Sequence, residues 1–171
     1  MEKLLTIIIP TYNMEAYLDA CLGSLIVPEY MDLLEVLIVN DGSKDSSPEI
    51  AKKYVDRYPD TFVLIDKPNG NYGSCVNRGI QEANGKYVKI LDADDSFDTA
   101  NFQRFLSFLK NTDADLVITP FAITNPKGEI TKIIKFDFRT GTEMPFADVC
   151  ATEQFRNNIQ MHAVTYKRDL F

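Results

Sequence analysis

The sequence predicts an α/β fold built on a mainly parallel β-sheet with helices on both faces. Short apolar runs rich in β-branched residues recur between residues 5 and 119, and strands buried on both faces of a parallel sheet have this composition. Segments with apolar residues at helical spacing separate these runs. A repeated strand–helix–strand order gives parallel pairing through right-handed crossovers.

The first strand–helix–strand unit has clear boundaries. A strand is predicted over residues 5–9, a run of β-favouring residues that Pro10 ends. A helix is predicted over residues 15–26, where apolar residues form a stripe at helical spacing. A second strand is predicted over residues 34–39, because the turn-forming Asn40-Asp41-Gly42 follows it.

The pattern then continues through a second helix, a third strand and a third helix. The second helix is expected from about residue 46 to 58, with Pro48 in its first turn. The apolar run 62–65 predicts the third strand. The third helix is expected over residues 74–83, since Asn84-Gly85 is a typical helix stop.

The alternation weakens in the C-terminal third of the chain. A fourth strand (87–91), a fourth helix (101–109) and a fifth strand (116–119) complete the regular part. Residues 125–128 then predict a turn, and residues 130–138 alternate enough for an antiparallel edge strand. We expect one domain over residues 1–171, with a small antiparallel edge in its last third.

Composition excludes several classes of protein. The chain has 171 residues, enough for one domain with a core, and 18 Lys and Arg against 25 Asp and Glu give a formal net charge of −7. Such an acidic chain is a poor binder of nucleic acid, which requires a basic surface. Three widely spaced cysteines (Cys21, Cys75 and Cys150) form neither a disulfide framework nor a zinc pattern. They indicate reduced thiols in a cytoplasmic protein, and the sequence predicts no transmembrane segment.

Polar clusters follow three of the predicted strands where each strand ends. They are Pro10-Thr11-Tyr12-Asn13, Asn40-Asp41-Gly42-Ser43 and Asp92-Ala93-Asp94-Asp95. The carboxyl ends of parallel strands meet at one edge of the sheet, and ligands of such sheets bind there. We therefore expect the three clusters to lie on the same rim.

Asp92, Asp94 and Asp95 form the most informative cluster. Three carboxylates within four residues repel one another unless a cation neutralises them. A hard divalent cation, with substrate phosphates completing its shell, would do so. The alternative is a solvated turn in which Asp95 or Ser96 caps the next helix. The position directly after a buried parallel strand favours metal binding.

Three other features are weaker signals. Asp41 is well placed to accept a hydrogen bond from a base or ribose, but Asn-Asp-Gly is also ordinary turn chemistry. The glycine-rich loop 69–74 precedes a helix, so it fits either a phosphate contact or a simple loop; it matches neither the dinucleotide nor the P-loop motif. His162 is the single histidine, and its apolar neighbours favour a packing role.

Together these segments resemble the N-terminal part of a family 2 glycosyltransferase with the GT-A fold. The order and spacing of the blocks carry the resemblance, which is firm over residues 5–115. The matching blocks are Thr6-Ile7-Ile8-Ile9-Pro10-Thr11-Tyr12-Asn13, Val39-Asn40-Asp41-Gly42-Ser43-Lys44-Asp45-Ser46, Asn69-Gly70-Asn71-Tyr72-Gly73, Asn77-Arg78-Gly79-Ile80, Ala83-Asn84-Gly85-Lys86-Tyr87 and Leu91-Asp92-Ala93-Asp94-Asp95.

The resemblance implies transfer of a sugar, with inversion, from a nucleotide-sugar, often UDP-linked, to a carbohydrate or lipid-linked acceptor. It also implies a Rossmann-like GT-A sheet, a Mn²⁺ or Mg²⁺ cofactor, and a role in processes such as polysaccharide biosynthesis. Residues 1–119 would be the nucleotide-binding half and 120–171 the start of the acceptor half. Peripheral membrane association fits such enzymes, although the sequence shows no amphipathic basic helix.

The resemblance also implies roles for individual residues. Pro10, Thr11 and Tyr12 would line the base pocket, and Asp41 would hydrogen-bond the base. The remaining residues would lie near the ribose, diphosphate and metal: Asn69, Gly70 and Gly73 at the diphosphate, Asp92 shared between ribose and metal, Asp94 at the metal, and Asp95 as a further ligand or a neighbour of one.

Two departures from the family pattern affect these expectations. Val76 stands where many relatives have an arginine, and Arg78 comes two residues later. Relatives also supply a catalytic base, usually within a Glu-Asp pair, whereas Asp148, Glu153 and Asp169 are isolated here. We therefore expect a truncated or naturally short relative whose base lies beyond Phe171 and which binds donor but transfers sugar slowly.

Two other functions remain open at this point. A non-catalytic nucleotide-binding module would also lack the base. A phosphatase-like hydrolase with Asp92 as nucleophile and Asp94 as acid–base would use the same motif, but after the first strand of its domain rather than the fourth.

Overall fold

The computed structural model describes residues 3–136, 141–152 and 159–171. It contains eight strands and five helices in these ranges, joined in part by short 3₁₀ segments. In chain order they are β1 (Leu5–Thr11), α1 (Leu18–Gly23), β2 (Leu34–Asn40), α2 (Ser47–Arg57), β3 (Phe62–Asp66), α3 (Asn71–Glu82), β4 (Tyr87–Ile90), α4 (Thr99–Leu109), β5 (Leu116–Ile118), β6 (Phe121–Thr124), β7 (Ile130–Ile134), α5 (Phe146–Ala151) and β8 (Val164–Lys167). None of the helices in these ranges is long and apolar enough to cross a membrane.

Six strands form one sheet in the order β3-β2-β1-β4-β8-β5. The four strands from β3 to β4 pair in parallel, which confirms the predicted α/β class. Strand β8 pairs antiparallel with both β4 and β5. The fifth predicted strand therefore does not lie beside the fourth, because a strand from the end of the chain is inserted between them.

The predicted antiparallel strand is present, but it is not an edge of the main sheet. Strand β7 pairs with β6 in a separate two-stranded sheet. The predicted turn joins them, and Gly128 has a φ of +80°, a backbone conformation that glycine adopts without strain. The last two residues of the predicted run, 137 and 138, lie outside the described residues.

Alternation along β1 divides the core between the two faces of the sheet. Ile7 and Ile9 contribute to a large cluster that includes residues of α1, α2 and α4. Ile8 faces the other side, in a smaller cluster with Cys75 of α3, as the two-residue period of a strand requires. All seven residues of β1 are buried, which explains the continuous apolar run.

Helix α3 packs very closely on this second face. A Cβ atom built on Gly79 would lie 2.4 Å from Ile8 Cγ2. The close approach requires glycine at this position, so the Asn-Arg-Gly-Ile block has a packing role.

A buried polar network lies at the end of the sheet opposite the polar clusters. Thr6 Oγ1 donates to Glu35 Oε2 at 2.6 Å and accepts from the backbone N–H of Gly85 at 2.8 Å. Glu35 also accepts two hydrogen bonds from Asn84. These contacts fasten the turn before β4 to β1 and β2, and a Cβ atom on Gly85 would lie 2.5 Å from Thr6 N.

Helices α1 and α3 each start three residues away from the predicted position, and α4 begins at Thr99, two residues earlier than predicted. Helix α1 begins at Leu18 because the preceding backbone is held by side chains that follow β2. Ser43 Oγ and Ser47 Oγ accept from the N–H groups of Asn13 and Met14. Helix α3 begins at Asn71, three residues earlier than the pattern indicates.

Candidate functional site

The three polar clusters meet at the carboxyl edge of the parallel strands, as predicted. They surround an open cavity of about 540 Å³. Its lining combines carboxylate, amide, thiol and aromatic groups from four segments of the chain: Pro10, Thr11, Tyr12, Met14, Asp41, Asn69, Asn71, Tyr72, Cys75, Asp92, Ala93 and Asp94.

Asp41 organises one wall of this cavity. Its Oδ1 accepts from Lys67 Nζ and, at 2.9 Å, from the backbone N–H of Gly70. Burial by itself would raise the pKa of Asp41, but these hydrogen bonds outweigh it and hold the pKa below its ordinary value. Asp41 is therefore a charged acceptor at neutral pH, and it fixes the loop that follows β3.

Lys67 connects the same loop to α3. Its Nζ donates to Pro68 O and Ser74 Oγ, both at 2.8 Å, in addition to Asp41. The ammonium group thus places a positive charge beside the glycine-rich loop. Gly70 and Gly73 do not line the cavity; Gly70 precedes α3 and Gly73 lies in its first turn.

Tyr72 joins the glycine-rich loop to the acidic cluster. Its hydroxyl donates to Asp92 Oδ1 at 2.6 Å. Burial and the bonded carboxylate of Asp92 raise the pKa of Tyr72 above its ordinary value, so the hydroxyl stays protonated. Tyr72 and Tyr12 are 44% and 47% exposed, which leaves two aromatic rings accessible beside the cavity.

The acidic cluster forms a tight turn directly after β4. The backbone N–H of Asp95 donates to Asp92 O at 3.0 Å. Asp92 is half-buried, and Asp94 and Asp95 are exposed. Burial raises the pKa of Asp95, and the charges of Asp94 and Asp92 raise it further, against the influence of His162. The carboxylates therefore repel one another in the absence of a cation.

Helix capping does not account for this cluster. The cap of α4 is Asp98, whose side chain accepts from the backbone N–H of Asn101 at 2.9 Å. The alternative that Asp95 or Ser96 caps the helix is therefore wrong.

His162 lies against the acidic turn. Its Nδ1 is 4.0 Å from Asp95 Oδ2, and the ligand atoms of Asp92, Asp95 and His162 all lie within 4.8 Å of one another. The ring also packs edge-on against Phe121, with centroids 4.5 Å apart. The contact with Phe121 is the packing that the sequence predicts. The contact with the Asp95 carboxylate is one that the sequence did not indicate.

This donor set fits a divalent metal ion. Two carboxylates and one imidazole are groups that Mn²⁺ and related ions accept. Asp94, on the cavity side of the same turn, offers a further oxygen. The residues implied by the resemblance are therefore able to hold a cation.

Lys89 supports the turn that carries His162. This lysine is 1% exposed, and its Nζ donates to His162 O at 2.6 Å and Val164 O at 3.5 Å. The rings of Phe97 and Phe105 lie about 6 Å from the ammonium group. Burial lowers the pKa of Lys89 to about 7.

Comparison with known proteins identifies the family. The profile described as glycosyl transferase family 2 matches residues 6–163. The chain belongs to this family. Among curated relatives, an uncharacterized glycosyltransferase of Mycoplasma pneumoniae, the MG025 homolog, is 41% identical over 123 residues, which are 70% of this chain and 40% of that protein. The uncharacterized glycosyltransferase EpsJ of Bacillus subtilis is 38% identical over 118 residues, 68% of this chain and 33% of that protein.

Solved structures confirm the GT-A fold. S. aureus TarS 1–349 in complex with UDP-GlcNAc has a TM-score of 0.65 at 22% identity, covering 98% of this chain and 46% of that chain. The mannosyltransferase PcManGT from Pyrobaculum calidifontis, in complex with GDP-Man and Mn²⁺, has a TM-score of 0.66 at 20% identity, covering 99% and 46%. The family 2 chain described here thus spans less than half the length of the relatives that it matches.

Three residues that contact the predicted site residues carry no local signal of that role in the sequence. A lysine after a strand is ordinary, so nothing marks Lys67 as a partner of Asp41. Tyr72 lies within one of the family's blocks, but its contact with Asp92 depends on the fold. The neighbours of His162 predict packing, and the insertion of β8 that brings this residue to Asp95 leaves no local trace.

The structure also shows where the residues that depart from the family pattern lie. Arg78 Nε donates to Glu82 Oε1 at 2.9 Å along the exposed side of α3, and it does not line the cavity. Asp148 lies on α5 and Asp169 in the last 3₁₀ segment, and neither lines the cavity. Glu153 lies outside the described residues.

Proposed function

We propose that this chain forms the donor-binding part of an inverting glycosyltransferase that uses a UDP-sugar and a divalent metal ion. One observation carries the proposal: the cavity at the carboxyl edge joins Asp41, the glycine-rich loop and the Asp92–Asp95 turn. Complexes of structural neighbours with UDP-GlcNAc and with GDP-Man support a nucleotide-sugar as the ligand class. Residues 1–119 provide the nucleotide-binding half and 120–171 the start of the acceptor half.

The base binds between β1 and β2 in this proposal. Pro10, Thr11 and Tyr12 line that side of the cavity, and the accessible ring of Tyr12 provides a surface on which a base stacks. The Asp41 carboxylate, charged at neutral pH, accepts a hydrogen bond from a base N–H group. Uracil N3–H is such a donor, so this contact fits a UDP-linked sugar; guanine N1–H would fit the same acceptor.

The diphosphate lies between the glycine-rich loop and the acidic turn. On one side Asn69 lines the cavity, Gly70 and Gly73 follow it at the start of α3, and the ammonium group of Lys67 lies nearby. Asp92, Asp94 and Asp95 hold Mn²⁺ or Mg²⁺ on the other side. A bound cation offsets the charge of the leaving diphosphate, while Tyr72 fixes the orientation of Asp92 through its hydrogen bond.

The acceptor is the hydroxyl of a carbohydrate or a lipid-linked carbohydrate, and its deprotonation requires a general base. Among the described residues, Asp148 and Asp169 lie away from the cavity lining, so neither serves as the base in this proposal. The same observation favours a second candidate, a nucleotide-binding module without catalysis.

Calorimetric titration of UDP tests the donor site. We expect binding in the presence of Mn²⁺ and its loss in EDTA or in Asp94→Ala. Asp56→Ala, which removes an exposed carboxylate from α2, is the matched control and retains binding. Asp41→Asn should weaken the binding of UDP, because Asn presents a neutral acceptor to the base. Folded protein that binds no nucleoside diphosphate would contradict the proposal.

A transfer assay separates the two candidate functions. We expect turnover of UDP-sugar by the complete protein that contains these residues, with inverted configuration at the anomeric carbon. UDP binding without transfer in that complete protein would favour the binding module.

A further inference from the structure

We infer that His162 is a protein ligand of the cation held by Asp92 and Asp95, and that it makes this site prefer Mn²⁺ to Mg²⁺. The inference rests on the metal-dependent donor site proposed above. It adds a nitrogen ligand from a segment that lies 67 residues after Asp95 in the chain and outside the acidic motif.

The first argument is the convergence of three different ligand groups. The carboxylates of Asp92 and Asp95 and the imidazole of His162 have ligand atoms within 4.8 Å of one another. Asp92 and Asp94 line the cavity, whereas the Asp95 carboxylate faces His162. The turn therefore offers carboxylate oxygens to the cavity and lies against an imidazole nitrogen on the side of β8.

The second argument is that the fold fixes the position of the histidine. Strand β8 runs antiparallel to β4, so the segment before β8 meets the segment after β4. Lys89, buried in β4, holds that segment through His162 O. Phe121 packs against the other side of the imidazole ring. The ring is thus supported from the backbone and from one edge before any ion binds.

The third argument concerns the lysine. Burial of an ammonium group is costly unless its hydrogen bonds are satisfied, and the described partners of Lys89 Nζ are two carbonyl oxygens and two ring faces. An apolar side chain would fill this site without that cost. Lys89 acts as a positioning residue, since its hydrogen bond fixes the turn of residues 161–163 at the cation site.

The chemical consequence is metal preference. Mg²⁺ is a hard ion that favours oxygen ligands and retains water, whereas imidazole is a good ligand for transition metals. A site completed by His162 gains more affinity for Mn²⁺ than for Mg²⁺. A site formed by carboxylates alone would not show this dependence on residue 162.

Electron paramagnetic resonance of bound Mn²⁺ tests the inference directly. Mn²⁺ is titrated into the protein with and without UDP, and Mg²⁺ affinity is measured by competition. Spin-echo modulation then detects a directly coordinated ¹⁴N nucleus. We expect ¹⁴N modulation in the wild type and its loss in His162→Phe, a variant that retains a ring against Phe121.

The affinities give the second readout. His162→Phe should lower the affinity for Mn²⁺ by about tenfold or more, a loss of the size seen when metal-site partners are removed. The affinity for Mg²⁺ should change much less. Lys89→Met should also weaken Mn²⁺ binding, while Lys53→Met, which removes an exposed lysine from α2, should change the affinity little. Circular dichroism checks that each variant is folded.

The outcomes separate this inference from the proposed function. Bound Mn²⁺ without ¹⁴N modulation, or an unchanged Mn²⁺ to Mg²⁺ ratio in His162→Phe, overturns the role of His162 and leaves the donor site intact. Failure of the folded wild type to bind Mn²⁺, even with UDP, overturns the metal site and this inference together.

Discussion

Replacement of Gly79 by alanine tests the close packing between α3 and the centre of the sheet. A Cβ atom at this position would lie 2.4 Å from Ile8 Cγ2 and 2.8 Å from Ile8 Cγ1. Ile8 is fully buried, and a β-branched side chain has little rotamer freedom. The helix or the strand must therefore shift, and such overpacking costs about 1–3 kcal/mol.

Gly73→Ala provides a control within the same helix. A Cβ atom there would meet no atom within 4 Å. Both substitutions gain helix propensity, up to about 1 kcal/mol for glycine to alanine. The difference in unfolding free energy between the two variants isolates the steric term, so Gly79→Ala should be less stable than Gly73→Ala by about 1–3 kcal/mol.

Urea denaturation followed by far-UV circular dichroism measures this difference, because the chain has no tryptophan. A change in midpoint at a constant m-value reports stability. Equal midpoints for the two variants, or a more stable Gly79→Ala, would refute the reasoning that α3 lies on β1 at this distance.

Three further predictions follow from local contacts. Asp98→Ala should reduce the free energy of unfolding by about 1 kcal/mol in the same denaturation assay, whereas Ser96→Ala should leave it unchanged. The opposite result would identify Ser96 as the N-cap of α4. The pKa of Asp41 is lowered in the folded state, so its charge stabilises the fold above the ordinary value of 3.8 and this contribution is lost as pH falls through the lowered value. Acid titrations should therefore show wild type more stable than Asp41→Asn at pH 6 and a smaller gap near pH 3, and a constant gap would contradict the shift. Burial, reinforced by the acidic turn, raises the pKa of Cys21 to about 12. A thiol reagent at neutral pH should therefore modify the half-buried Cys150 before Cys21. Mass spectrometry that finds Cys21 modified first would contradict the burial of this thiol.

Much of the fold could be predicted from local patterns. The runs that became β1 and β2 are mostly apolar because these strands are buried along their whole length. The rule that ligands bind at the carboxyl edge then placed Asp41 and Asp92 on one rim, and the cavity lies there. Strand β8 escaped prediction because four residues with two partly exposed positions carry no clear period.

The sequence by itself determined the α/β class, the family resemblance and the edge at which the polar clusters meet. Each depends on short-range information: hydrophobic period, turn residues and motif spacing. Only the tertiary structure decided which side chains meet around those clusters. The insertion of β8 brings His162 to Lys89 and to the acidic turn, and the end of β3 brings Lys67 to Asp41. These contacts join residues that are 26 or more positions apart, and their formation depends on how strands pair rather than on any local pattern.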